Sequence, residues 1–291
     1  MIKISAVVSA YNEEKNIGDC LESLKWADEI IVVDNTSGDK TVQIAKKYAS
    51  KIFTRANNQM LNINKNFGFD KAKGEWIINL DADERVSPEL KQEISKTLAL
   101  KSNFNAYKIP RKNILFGKWI QHGIWWPDHQ IRLFKKTKGK FDCLHVHEKL
   151  TIAGEIGQLN NPLTHYNYRS ISQFVRKMND YTDNEAENFL KSGKQIHWYD
   201  AIRMPANDFL ANFFARGSYK DGLHGLVLSI LQSFYAFLVF CKVWEKQKFW
   251  EYQSQKFLTE AGKEFKKFHS DLGYWEKQSK LKGFLKKLLG R

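Results

Sequence analysis

Three carboxylates, Asp81, Asp83 and Glu84, stand together in the stretch EWIINLDADERVSPEL at residues 75–90. Spaced one apart on a turn, Asp81 and Asp83 can approach one divalent cation, or divide their work between a cation and a ribose. An isolated Asp-Ala-Asp reads equally well as a solvated acidic turn that caps the next helix, so the surrounding elements decide. Just before it, Trp76-Ile77-Ile78-Asn79-Leu80 is the short apolar run of a central parallel strand covered on both faces. Just after it, Ser87 fits an N-cap and Pro88 the first helical position. Carboxylates at the carboxyl end of such a strand sit where open α/β sheets bind ligands.

The elements that must hold this turn repeat with short links. Residues 2–9 predict a first buried strand, ending in Ala10-Tyr11-Asn12-Glu13-Glu14, and Ile17, Leu21 and Leu24 then share one helical face. Residues 29–33, EIIVV, predict a second strand, ending in Asp34-Asn35-Thr36-Ser37-Gly38-Asp39, with Asp39 as cap of a helix over 41–48. Residues 51–55 predict a third strand and 60–72 a third helix. This is the pattern of a doubly wound α/β sheet, whose right-handed crossovers put every such turn on one edge. Tyr11-Asn12-Glu13, Asp34 and Asp81/Asp83 are therefore expected to converge on one crevice. With no G-x-G-x-x-G after the first strand and no G-x-x-x-x-G-K-[ST], dinucleotide oxidoreductase and P-loop readings lose their main support. Lys65, just before the fourth strand, can add positive charge near a diphosphate or simply face solvent.

Composition bounds the rest. With 291 residues, 43% of them hydrophobic, the chain can bury a core. Its 46 Lys and Arg against 32 Asp and Glu leave +14, which favours a polyanionic partner: nucleic acid, an anionic membrane or a phosphorylated substrate. Three widely spaced cysteines read as reduced thiols of a cytosolic protein, and the N-terminal residues do not form a signal peptide. Residues 107–150 are rich in aromatics, glycine and histidine, with strands expected at 107–110 and 130–134. The loop between them carries Trp119, Trp125 and Trp126, which suit sugar rings or core filling alike. Beyond Ser170 the pattern turns helical, over 172–190 and 198–215. The most apolar run, 226–241, is shorter than the ~20 residues of a membrane span, and His224, Gln232 and Ser233 favour a buried or interfacial helix. Residues 242–291 hold 13 Lys and Arg against six Asp and Glu, half of the chain's excess charge. At 279–291, Leu281, Phe284, Leu285, Leu288 and Leu289 fall at helical spacing between lysines 280, 282, 286 and 287. That suits an amphipathic helix lying on an anionic membrane, or one packed on the catalytic domain with its lysines in solvent.

SAYNEE, VVDNTSGDKT and GEWIINLDADE, in this order and spacing, resemble family 2 glycosyltransferases of the GT-A fold. The resemblance implies a Rossmann-like, mostly parallel central sheet with flanking helices over 1–168, followed by a helical, membrane-associating region over 169–291. It implies that Ser9, Tyr11, Glu13 and Asp34 bind the nucleotide, that Asp81 meets the ribose and that Asp83 holds Mg2+ or Mn2+, with Lys65 near the diphosphate. Asn35-Thr36-Ser37-Gly38 departs from the common second motif of the family. His165 corresponds to the late histidine that completes the metal or phosphate site; with His145 and His147 it also permits a weaker zinc reading. Gly123 matches the glycine of the acceptor loop, with Trp125 and Trp126 beside it. Glu148 is the candidate general base, ahead of Asp128 and then Asp142.

The DADERVSPEL form of the metal motif, with RGSYKDGLHGLVLSILQSFYAFLVFCKVWE, resembles the bacterial subgroup that adds glucose to the lipopolysaccharide inner core. The expectation is an inverting, metal-dependent transferase moving a hexose, glucose in first place, from a UDP-sugar to a hydroxyl of a cell-envelope glycolipid. It would work from the cytoplasm, peripheral on the inner face of the membrane through its basic C-terminal helix, without nucleic acid. Two alternatives stand beside it: a polyprenyl-phosphate sugar synthase, and a basic nucleic-acid- or membrane-binding module without catalysis.

Overall fold

A computed structural model describes residues 2–57, 61–100, 102–143 and 148–288, with side chains as far as Lys280. His145, His147 and the apolar and basic side chains expected to alternate beyond Lys280 lie outside the described residues. The chain forms two compact units, Met1–Ile114 with Trp126–Asn167, and Leu115–Trp125 with Tyr168–Arg291. A division at 168/169 does not anticipate that residues 115–125 belong with the second.

The first unit follows the expected alternation: β1 (Ile4–Ala10), α1 (Ile17–Glu22), β2 (Glu29–Asp34), α2 (Thr41–Ala45), β3 (Lys51–Thr54), α3 (Leu61–Lys71), β4 (Trp76–Asp81), β5 (Glu84–Val86) and α4 (Pro88–Ala99). There follow β6 (Ala106–Leu115), β7 (Lys118–Trp119, which falls in the second unit), β8 (Asp128–Lys135), β9 (Gly139–Lys140), β10 (Thr151–Ile152), β11 (Ile156–Gln158) and β12 (Leu163–Tyr168). The main sheet runs β3-β2-β1-β4-β8-β6-β12-β5. Its β3-β2-β1-β4 half is parallel, and β8 joins β4 antiparallel.

The parallel strands are apolar almost without interruption because both faces are covered. Ala6, Val8, Ile30, Val32, Ile78 and Leu80 pack against Ile17 and Leu21 of α1 and Leu90 and Ile94 of α4. Val7, Ile31 and Ile77, pointing the other way, meet Phe69 of α3 and Phe134 and Phe141. The hydroxyl of Ser87 accepts the Leu90 N–H at 3.1 Å, capping α4 behind Pro88, and Asp39 accepts the Thr41 N–H at 2.9 Å at the start of α2. The strand expected at 107–110 is the longer β6, because residues as far as Leu115 continue to alternate against the sheet.

In the second unit, α5 (Ile171–Lys191), α6 (Asp200–Leu210), α7 (Leu223–Lys246) and α8 (Phe257–Leu288) are the α-helices among the described residues. Phe174, Met178, Thr182 and Ala186 form the buried stripe of α5, each four residues after the last. The apolar run at 226–241 extends at both ends into the 24-residue α7, which is long and apolar enough to cross a membrane by length and composition, with 28% of its most apolar window buried. The helix is longer than the apolar run because flanking polar residues, among them His224 and Lys242, continue it. Ser233 on α7 donates to the Pro205 carbonyl at 2.7 Å inside the unit, so its presence does not argue against an apolar outer face. The 115–125 segment is pinned by buried Asp221, which accepts the Gln121 N–H at 3.2 Å, while Lys118 donates to the Asp221 carbonyl at 2.7 Å. All three cysteines are free thiols.

Helix α3 lies close against the sheet because Gly68 has no side chain: a Cβ there would stand 2.6 Å from Val7 Cγ1 and 3.0 Å from Val33 Cγ2. Gly68→Ala should therefore lower stability by about 1–3 kcal/mol through overpacking, read from the urea midpoint; an unchanged midpoint would contradict this packing.

Candidate active site

The register places the three expected motifs on one edge. Ser9 pairs with Asp81 of β4 on one side, and Ala10 pairs with Asp34 of β2 on the other. The loops that follow β1 and β2 are laced together. Asn12 N–H donates to Ser37 Oγ at 2.9 Å, Gly38 N–H to Asn12 Oδ1 at 2.8 Å, Glu13 N–H to Thr41 Oγ1 at 2.7 Å and Glu14 N–H to Asp39 Oδ2 at 3.0 Å. The Glu13 carboxylate is turned to Asn16 Nδ2 at 2.6 Å. Tyr11 is exposed beside them. Asp34 is buried; its Oδ2 accepts the Ser37 N–H at 3.1 Å, while Oδ1 has no hydrogen-bond partner among the described residues. A buried carboxylate oxygen left open at a strand end is a ready acceptor for a ligand N–H. Beside it, Asn35 donates to Ser9 Oγ at 3.0 Å.

Helix α3 is the hub of the site. Of the two readings open for Lys65, solvent is not the one seen: Lys65 is 13% exposed, and Asn62 and Asn64 beside it are buried. Asn64 donates to Asn35 Oδ1, Lys65 meets Asp81 Oδ1 at 2.7 Å, and Asn66 exchanges two hydrogen bonds with the Phe141 backbone. Asn62 Nδ2 donates to Glu148 Oε1 at 3.1 Å, where the Cys143 N–H also donates at 2.7 Å.

Around the Asp81–Glu84 turn the charges are buried and paired. Arg132 Nη2 lies 2.6 Å from Asp81 Oδ2 and 2.6 Å from Glu84 Oε1, and Glu84, with no exposure, also accepts the Asp81 N–H at 3.1 Å. Burial opposes ionisation of Asp81, but Arg132 and Lys65 outweigh it and hold the carboxyl well below its ordinary value. Arg85 wraps the same turn, donating to the carbonyls of Ala82 and Asn16 at 2.8 and 2.7 Å.

Asp83 faces His165, whose Nε2 lies 3.4 Å from Asp83 Oδ2. Strand β12 brings the histidine there, with His165 paired to Glu84 and the Tyr166 N–H donating to the Asp83 carbonyl at 2.9 Å. Asp128 fixes the tautomer at one remove. Its carboxylate takes Asn113 Nδ2 at 3.3 Å, so Asn113 turns Oδ1 to His165 Nδ1 at 2.6 Å. His165 Nδ1 thus meets an acceptor, and Nε2 is the ring nitrogen turned towards Asp83. One carboxylate and one imidazole converging in this way fit a divalent cation that fills its remaining positions from a diphosphate and water. No cluster of three or more His, Cys, Asp or Glu suited to a metal occurs among the described residues.

Asp128, named as a competing base, is heavily engaged. Burial pushes its carboxyl up, but Arg111 and the hydrogen bonds from Gln130, Asn113 and Arg111 bring it below the usual carboxylate range. Asp142 is bonded by the Thr151 hydroxyl at 2.6 Å. Glu148 lines a cavity of about 330 Å3 together with Lys65, Asp81, Arg111 and Arg132. Gly123 and Trp125 belong to the second unit. There Gly123 has φ 76° and a Cβ would stand 2.3 Å from Ser218 Oγ, while Trp125 packs edge-on to Tyr168 at 6.3 Å. Trp126 falls in the first unit and precedes a cis Pro127. Sequence reasoning missed Arg132, Arg111 and Asn113, because polar residues in a strand read as its solvent face. Only their place on the two strands next to β4 marks them.

A mostly parallel α/β sheet with carboxylates along its carboxyl edge, followed by a helical region, is the GT-A architecture of nucleotide-sugar enzymes. Residues 5–151 match the glycosyl transferase family 2 model, and the chain belongs to that family: it is a glycosyltransferase. It is 27% identical to the lipopolysaccharide core biosynthesis glycosyltransferase LpsC of Rhizobium meliloti, over 84% of this chain and 93% of that protein. It is 32% identical to an uncharacterized glycosyltransferase of Rickettsia typhi, over 84% and 88% of the two chains. Among solved structures, TarS of S. aureus aligns with a TM-score of 0.45 at 16% identity, over 82% of this chain and 55% of that one.

Removing Arg132 leaves buried Glu84 with only the longer pairing to Arg111 Nη1 at 3.6 Å, so Arg132→Gln should cost up to about 3–5 kcal/mol at pH 7. Because the folded-state value of Asp81 is depressed, its contribution is complete above the ordinary aspartate value of 3.8 and lost as pH falls through the folded value. The stability gap between wild type and variant should thus narrow below about pH 4 in urea melts; a gap that widens on acidification would contradict the pairing.

Proposed function

We propose that the chain is an inverting, metal-dependent hexosyltransferase using a UDP-sugar, with UDP-glucose in first place. Its acceptor is a hydroxyl of a lipopolysaccharide-core-type glycolipid, reached from the cytoplasmic face of the membrane. The observation that carries the reading is the pairing of two arrangements on one sheet edge: Asp83 and His165 converging on a cation position, and the Glu148 carboxylate in the cavity beside Asp81. The likeness to LpsC supports the class of acceptor. The excess charge of residues 242–291 and the apolar length of α7 support work at an anionic membrane.

In this reading the open Asp34 oxygen accepts the uracil N–H, with Ser9, Tyr11 and Glu13 shaping the base pocket and Asp81 meeting the ribose. Asp83 and His165 would hold Mg2+ or Mn2+, which when bound supplies positive charge against the diphosphate. Glu148 takes the proton of the acceptor hydroxyl as its oxygen forms the new bond to the anomeric carbon. The bond from that carbon to the β-phosphate oxygen breaks on the opposite face, so configuration inverts and UDP leaves with the electron pair. Lys65 and Arg132, fixed beforehand by Asp81, face the growing phosphate charge without having to reorganise. Asp128 acts through Asn113 as a positioning residue for His165, not as a base.

Glu148→Gln should lower kcat by about 10^2–10^4-fold with donor KM little changed, and the product of the wild type should carry the anomeric configuration opposite to that of the donor by NMR. A Glu148→Gln enzyme with wild-type kcat, or a product of retained configuration, would sink this mechanism.

A further inference from the structure

We propose that the cavity beside Glu148 is built for an acceptor bearing an anionic group, a phosphate or a carboxylate, close to the hydroxyl it offers. The inference rests on the transferase reading and names the chemistry of its second substrate. The cavity wall carries five cations, Lys65, Lys108, Arg111, Arg132 and Lys149, but only two carboxylates, Asp81 and Glu148. Three of the cations are already neutralised: Lys65 and Arg132 by Asp81, with Glu84 also on Arg132, and Arg111 by Asp128. Glu148 receives neutral N–H donors from Asn62 and Cys143. Lys108 and Lys149 have no ion-pair partner among the described residues. Two ammonium groups of the wall are thus without a carboxylate at ion-pair distance, and with Asp81, Glu84, Asp128 and Glu148 set against the five cations one positive charge remains in excess.

Their place separates them from the donor's diphosphate. The edge that bears Asp34 and Ser9 belongs to β2 and β1, on one side of β4; Lys108 belongs to β6, two strands beyond β4 on the other side. At a strand spacing of about 4.8 Å, Lys108 is anchored roughly 10 Å further from the base pocket than Asp81 is. Lys149 directly follows Glu148 in the chain, so the second spare cation sits beside the carboxylate that faces the acceptor hydroxyl. Ammonium groups on flexible stems meet a phosphate or carboxylate as point charges. A cavity of about 330 Å3 is at the lower end of ligand-site volumes, and accommodates one sugar ring with a charged substituent and little more.

The test uses the full chain with saturating UDP and Mn2+, so that the diphosphate position is filled and any further anion must bind elsewhere. Glucose, glucose 6-phosphate and glucuronate are then titrated by thermal shift. Expected is at least about tenfold tighter binding of one or both charged probes than of glucose, with the phosphate and carboxylate arms telling which anion the cavity takes. The Lys108→Gln/Lys149→Gln double variant should lose that advantage; both side chains are exposed, so the fold is retained, which circular dichroism checks. Equal binding of all three probes, or a preference that survives in the double variant, would overturn the proposal. Failure of UDP itself to bind would instead count against the transferase reading, and the same titration without nucleotide would then read the cavity's anion preference directly.

Discussion

A carboxylate with no exposure to water is tolerated only where a cation meets it, and Glu84 imposes that condition on everything around it. Arg132 answers it from β8 and, with the same nitrogen, reaches Asp81 at the end of β4. The Asp81–Glu84 turn is thereby fixed at the junction of the parallel and antiparallel halves of the sheet. Glu84 also accepts the Asp81 N–H, so turn geometry and charge pairing are satisfied by one side chain. A turn held this way can present Asp83 outward without depending on a ligand for its shape.

Two further devices extend from that junction. Helix α3 sends Asn62, Asn64, Lys65 and Asn66 to Glu148, Asn35, Asp81 and Phe141, tying four separate segments to one rigid element. On the other side, the sequence Arg111–Asp128–Asn113–His165 passes a hydrogen-bond polarity from an arginine that cannot lose its proton to a histidine whose Nε2 is aimed at Asp83. Each link is a residue whose donor or acceptor character is fixed by its neighbour. Side chains anchored on helices and strands are held more precisely than side chains on loops, and here the polar groups about the crevice are anchored mainly on α3, β4, β6, β8 and β12.

The parallel strands and the convergence of the Tyr11, Asp34 and Asp81 segments were legible in the sequence because they rest on local patterns: apolar runs, turn residues and crossover handedness. Ser87-Pro88 announced α4 for the same reason. What stayed hidden depends on long-range pairing. Arg132 and Arg111 are polar residues in strands, and nothing local distinguishes a solvent-facing arginine from one turned onto a buried carboxylate 48 residues away. The asparagines of α3 gave no sequence signal, because an inward polar face and an outward one have the same periodicity. Helix α7 outruns the apolar run because His224 and Gly225 before it and Lys242, Glu245 and Lys246 after it continue the helix.

The central claim is that one sheet edge holds a cation at Asp83 and uridine at Asp34 in a shared pocket. The most direct measurement is a panel of nucleotide sugars scored by thermal shift with and without Mn2+, on wild type and Asp83→Ala. The account predicts stabilisation by a uridine nucleotide sugar that requires both the ion and Asp83. Stabilisation by the same compound without the ion, or undiminished in Asp83→Ala, would contradict it.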